Sequence, residues 1–129
     1  MALFTVEKLP NLPVVLFTSQ PGYDIMRNLG DSIMAAVEVI DLQSKPIYYI
    51  QDIRNLDIDI EGVVDAANRL SRGDSPLYHH PKILKVIGVT SDAAVRMAFK
   101  GMNSTIFGNT EVLAFDTVDE AIAYVLNQH

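Results

Sequence analysis

Four apolar runs of strand type, "PVVLFT", "PIYYI", "ILKVIGV" and "VLAF", are each followed by a stretch of helical period. That alternation leaves few folds open to the chain. Consecutive strand–helix–strand units demand crossover connections, and crossovers of this kind produce a largely parallel sheet with helices packed on it. A shorter run, Phe4-Thr5-Val6, precedes the first of the four and is free to lie antiparallel at an edge. The expected fold class is therefore α/β, with element order β-β-α-β-α-β-α-β-α.

Each helix carries its own signature. Met26, Leu29, Ile33, Met34, Val37 and Ile40 recur at steps of three and four, which predicts an amphipathic helix over about Asp24 to Leu42. Gly30 inside it weakens the helix by roughly 1 kcal/mol relative to Ala, and close packing is expected there. A second helix is predicted from about Asp59, a residue suited to cap it, with Ile60, Val63, Val64, Ala67 and Leu70 inward and Gly73 as its stop. A third follows a Ser91 cap and runs through Val95, Ala98, Phe99 and Met102. The fourth opens with a capping box, Thr117-Val118-Asp119-Glu120, and carries Ala121, Ile122, Val125 and Leu126 on its apolar stripe.

The 129 residues form a single predicted domain, residues 1–129, with no linker or internal repeat. A chain of this size buries roughly 68% of the surface exposed when unfolded, enough for a proper core. A hydrophobic content of 49% excludes a disordered chain. No apolar stretch reaches the roughly 18 residues of a membrane span. The start, "MALFTVEKLP", lacks the basic and apolar blocks of a signal peptide, and cysteine is absent, so the cytoplasm is the expected location. The net charge of −6 argues against nucleic-acid binding. Charge is uneven, however: residues 69–100 carry a net +4, leaving −10 for the rest.

The segment "ILKVIGVTSDAAVRMAFKGMNSTIFGNTEVLAFDTVDEAIAYV" resembles the STAS domain of anti-sigma-factor antagonists. The likeness lies in its strand, short helix ending at Gly-Met, strand, and "FDTVDEAIAYV" tail, and by element order it extends over nearly the whole chain. The resemblance implies a STAS-like regulatory module that acts through a protein partner. In such regulators the second helix begins at an Asp-Ser-Ser-Gly-like loop with a phosphorylatable serine. The matching stretch here is similar to Asp59-Ile60-Glu61-Gly62-Val63, with Glu61 at the serine position. The resemblance therefore implies partner binding without a serine phosphoswitch. It also brings to mind lipid-binding architectures in which helices part around an apolar ligand, with methionines such as Met26, Met34, Met97 and Met102 as adaptable lining.

Other motifs carry less. "RGDSPLYHHP" at 72–81 contains an adhesion-like tripeptide, but adhesion needs an exported protein. His79 and His80 are adjacent in a segment that Pro81 keeps extended, so their rings point apart and no metal site is expected. No nucleophile elbow, phosphate loop or dinucleotide fingerprint is present, which disfavours catalysis, and no cofactor is expected. In a parallel sheet, ligands sit beyond the carboxyl ends of the strands. That edge is predicted to gather Asp52, Arg54 and Asn55 with Thr90, Ser91, Asp116 and Thr117, and Asp57 is a further candidate binding residue. The positive shoulder of Arg69, Arg72, His79 and His80 is the expected place for an anionic ligand. Tyr48 and Tyr49, with Ile106 and Phe107, are the expected contact residues for an unidentified protein partner or a second copy in a homodimer. The leading expectation is a non-catalytic binding module. A carrier of a small apolar or anionic ligand, and an enzyme at the strand edge, stand behind it.

Overall fold

A computed structural model of the protein describes residues 3–56, 61, 62, 65, 68, 69, 77–102 and 112–128. Its strands are β1 (Phe4–Lys8), β2 (Val14–Ser19), β3 (Ile47–Asp52), β4 (Ile83–Val89) and β5 (Val112–Phe115). Its helices are α1 (Ile25–Asp41), α2 (Ala93–Met102) and α3 (Val118–Asn127). Between β3 and β4 the described residues Glu61, Gly62, Asp65, Asn68 and Arg69 are helical. The expected Asp59 cap, the inward residues Ile60, Val63, Val64, Ala67 and Leu70, and the Gly73 stop lie outside the described residues.

The five strands form one sheet in the order β1-β2-β3-β4-β5. β1 pairs antiparallel with β2, and the other neighbours run parallel. The β1–β2 hairpin turns through Asn11, whose φ of 63° is left-handed backbone that asparagine tolerates better than most residues. β3 lies in the middle and every one of its six residues is buried, which is why "IYYIQD" reads as apolar on both faces. At its start the register with β4 slips between Ile47 and Tyr48, leaving Leu84 as the extra residue of a bulge. Leu84 is consequently exposed within an otherwise inward-facing strand.

Strand order decides where the helices go. Each parallel strand is laid beside the previous one in the same direction, so right-handed crossovers place their helices on one common face. α1 and α2 do share a face: Leu29, Ala36 and Ile40 of α1 join Val95 and Phe99 of α2 over Val15, Phe17, Tyr49 and Val86. α3, which comes after the last described strand, covers the opposite face. There Ala121 and Val125 pack on Val14, Tyr48, Ile50, Ile87 and Val89.

Several expected details change. Met34 is 68% exposed and Met97 is 73% exposed, so neither lines an interior pocket, and the side chains of Met26 and Met102 lie outside the described ones. Leu126 likewise points to solvent and leaves the α3 stripe. The cap of α2 is Asp92, whose carboxylate accepts from the amides of Ala94 and Val95 at 2.9 and 3.1 Å, rather than Ser91. The Thr117 hydroxyl does accept from the Glu120 amide at 3.1 Å. The Glu120 carboxylate, however, takes the hydroxyl of Thr117 rather than its backbone amide. Gly30 is exposed, and a side chain there would meet only the Arg69 guanidinium at 4.0 Å. Close packing instead occurs at Gly88, where an added Cβ would sit 2.3 Å from the Phe99 ring.

Candidate functional site

The carboxyl ends of the strands form a polar rim held together by internal pairing. Asp52 ends β3 and is buried. Its carboxylate accepts from the backbone amide of Arg54 and, through both oxygens, from the Arg54 guanidinium at 2.9 and 2.8 Å. The hydrogen bond that Arg54 donates to Asp52, and then the charge of that carboxylate, raise the pKa of Arg54. Asn55 donates to the Ser19 carbonyl, and the Ser19 hydroxyl donates to the Asp52 carbonyl at 3.1 Å. On the β4–β5 side Arg96 reaches back from α2 to the Thr90 carbonyl at 3.0 Å and to the Asp116 carboxylate. The predicted Asp52, Arg54 and Asn55 thus come together, each with a protein partner.

The remaining nominated residues scatter. Glu61 is helical and exposed. Arg69 lies 3.9 Å from Asp65 one turn away. His80 is paired with a carboxylate. Its Nδ1 accepts the Lys82 amide at 3.1 Å, so Nε2 carries the hydrogen and donates to Asp41 at 2.6 Å. His79, its neighbour, faces solvent. Asp57, Arg72, Ile106 and Phe107 lie outside the described residues. Tyr48 and Tyr49 are both buried and therefore do not form an exposed contact surface. Among the described residues no group of three or more His, Cys, Asp or Glu side chains is gathered for a metal ion.

A second polar group was not nominated from sequence. It lies inside, on the sheet face beneath α1. Tyr49 and Gln51 occupy alternate positions of β3 and so share that face with Phe17 and Ser19 of β2 and Gly88 of β4. Tyr23, from the turn after β2, and Tyr78, from the turn before β4, complete the group, and both belong to the same packed cluster as Tyr49. Phe17 fixes Tyr23 edge to face, with ring centroids 5.8 Å apart. Held so, the Tyr23 hydroxyl shares a 2.7 Å hydrogen bond with Ser32 of α1, which itself donates to the Leu29 carbonyl. The Gln51 amide donates to the Tyr78 hydroxyl.

Tyr49 differs from both. It is only 2% exposed, and among the described residues its hydroxyl makes no hydrogen bond. Burial raises the pKa of all three phenols, that of Tyr49 well above the ordinary value, and the neighbouring Tyr78 and Tyr23 push Tyr49 further up. The three stay protonated at neutral pH, so each is neutral and carries an O–H. Comparison with protein-family models, characterised proteins and solved structures finds no match to the chain.

The sequence did hold a signal for this group. The alternation in "YIQ" at 49–51 places a phenol and an amide on the same inward face, and a buried amide needs a partner. A pocket of about 260 Å³ opens at the opposite, amino-terminal edge of the parallel strands, lined by Lys8, Asn11, Pro13, Lys45 and their neighbours. It contains none of the nominated residues, and none of the three phenols.

Proposed function

We propose that this chain is a STAS-like binding module without catalysis or a serine phosphoswitch, and that it holds a small ligand between the sheet and the helices over it. The observation that carries this reading is the Tyr49 hydroxyl, buried without a partner in the described structure. Such a group costs roughly 1–3 kcal/mol when left unpaired, so a bound acceptor would offset a real penalty. The sequential strand order, with an antiparallel first strand and the last described helix on the far face, supports the STAS-like reading. The rim supports binding over catalysis, because its carboxylates and guanidinium groups are taken up by one another.

Native mass spectrometry of the purified protein tests the reading. A non-covalent adduct that disappears on denaturation is expected. A bare chain under gentle conditions, with nothing small in a solvent extract, would count against a carrier.

Contact with a partner protein, or with a second copy, is the other reading, and one feature favours it. Lys82 donates to the carbonyls of Asp41 and Gln43, drawing the end of α1 to the start of β4. The exposed Leu42 and Leu84 flank that junction. Concentration-dependent sedimentation is expected if this edge mediates self-association.

A further inference from the structure

We infer that Tyr49, with Tyr23, Tyr78 and Gln51 around it, forms a subsite for an uncharged carbonyl-type oxygen on a small, otherwise apolar molecule. The inference rests on the small-ligand reading above and assigns the chemistry that the ligand must present.

Donor count comes first. Tyr23 donates to the Ser32 hydroxyl, whose own hydrogen goes to Leu29, and Tyr78 accepts from Gln51 while keeping its own O–H to donate. Tyr49 has a buried O–H and no acceptor among the described residues. A phenol in that state calls for an oxygen that accepts, so a ligand offering only donors would leave the mismatch in place.

Charge comes next. The groups gathered here are phenols, an amide and a serine hydroxyl, all neutral. The basic side chain that influences Tyr23 is Arg69, which is partly exposed and paired with Asp65. A carboxylate placed beside Tyr49 would be desolvated without a buried counter-charge, whereas a ketone, ester or amide oxygen loses far less on leaving water. The apolar surroundings point the same way. Phe17, Tyr23 and Phe99 supply aromatic surface in this cluster, and α1 contributes the small buried side chains of Ser32 and Ala36. Apolar surroundings with a few oriented donors are what a small-molecule site requires.

Three probes of similar shape separate these features: acetophenone carries the neutral acceptor, ethylbenzene carries none, and benzoate carries a charged one. Binding is followed through the ring signals of isotope-labelled tyrosine in the intact protein, for wild type and Tyr49→Phe. Acetophenone is expected to shift the tyrosine signals and to bind about five- to tenfold more tightly than ethylbenzene, the equivalent of one net hydrogen bond. In Tyr49→Phe that advantage should vanish while ethylbenzene binds as before. The variant should also retain a thermal midpoint at or above wild type, since it removes an unpaired hydroxyl without removing the ring.

Equal binding of acetophenone and ethylbenzene would overturn the assignment. Tighter binding of benzoate would overturn its uncharged character. Tyrosine signals untouched by any probe, with Tyr49→Phe less stable than wild type, would mean that an ordered water satisfies Tyr49. If native mass spectrometry finds a co-purified ligand but Tyr49→Phe leaves the ketone preference intact, the carrier reading stands and the subsite falls. A bare protein that binds none of the probes removes both.

Discussion

The two faces of the sheet are made from the same strands, residue by alternate residue, yet they bury very different chemistry. Under α3 the contact is apolar: Ala121 and Val125 meet Val14, Ile50, Ile87 and Val89, and Tyr48 lies edge to face with Tyr124. The buried carboxylate on that side, Asp52, sits at the rim and is held by Arg54. Under α1 and α2 the face carries Ser19, Tyr49 and Gln51, roofed by Tyr23, Ser32 and Tyr78. A dry face needs no explanation beyond the burial of apolar area. A face that buries several hydroxyls, one of them unpaired, is less stable than an apolar equivalent would be, and such a group calls for a specific reason. Within one small domain, both faces bury an apolar cluster, and the larger one, under α1 and α2, also buries hydroxyls and an amide.

Alkaline titration is the strongest way to break this comparison. In the unfolded chain the tyrosines ionise near pH 10, whereas burial holds Tyr49 and Tyr78 protonated to higher pH. Above that point the unfolded state binds fewer protons than the folded one. The stability linked to these phenols is thus fully present below about pH 10 and is lost as pH rises beyond it. Each buried phenol contributes a slope of about 1.4 kcal/mol per pH unit. Urea denaturation across that range, with tyrosinate absorbance as a second signal, should show the loss, and Tyr49→Phe should make it shallower. An unchanged slope in that variant would mean that Tyr49 is not the buried donor described.

Close packing on the polar face gives the next effect. Gly88 lies under the Phe99 ring, and an added methyl group would overlap it at 2.3 Å. Gly88→Ala is expected to destabilise by roughly 1–3 kcal/mol, the usual range for overpacking. Adding Phe99→Leu should recover part of the loss, because the two positions share one contact and will not behave additively. Additive losses in the double variant would mean that α2 is not seated on β4 as described.

The legible part of this molecule was its periodicity. β3 and β4 could be read because a strand covered on both sides is apolar at nearly every position, as in "IYYI" and "VIGV". The Thr117 cap of α3 was legible because its chemistry is local, although Glu120 does not complete the expected box. The misreadings arose where the decision was tertiary. Met34 fits the α1 stripe by spacing, but a stripe read from spacing alone is wider than the strip the sheet covers. Adjacent strand residues face opposite ways, which predicts one of Tyr48 and Tyr49 on each face of β3. That alternation holds, but helices cover both faces. The polar rim could be placed because strand ends follow from strand order, and the site beneath α1 could not. Tyr23, Ser32, Tyr49, Gln51 and Tyr78 come from four separate segments, and no spacing joins them.

The smallest effect concerns the outer surface of α1, the helix that roofs the polar face. Gly30 was expected to mark a close approach, and its position is open: a Cβ there meets the Arg69 guanidinium at 4.0 Å, an ordinary contact at the end of a flexible side chain. With no steric need for glycine, the backbone entropy it loses on folding is an uncompensated cost. Gly30→Ala should therefore stabilise the protein by about 0.5–1 kcal/mol, read as a higher urea midpoint with an unchanged denaturant slope. The same change is informative about the site. If α1 must move away from the neighbouring helical residues around Arg69 to admit a ligand, stiffening α1 at Gly30 should slow acetophenone uptake while raising stability. If uptake is unaffected, α1 is a fixed roof, and entry to Tyr49 does not require that helix to yield.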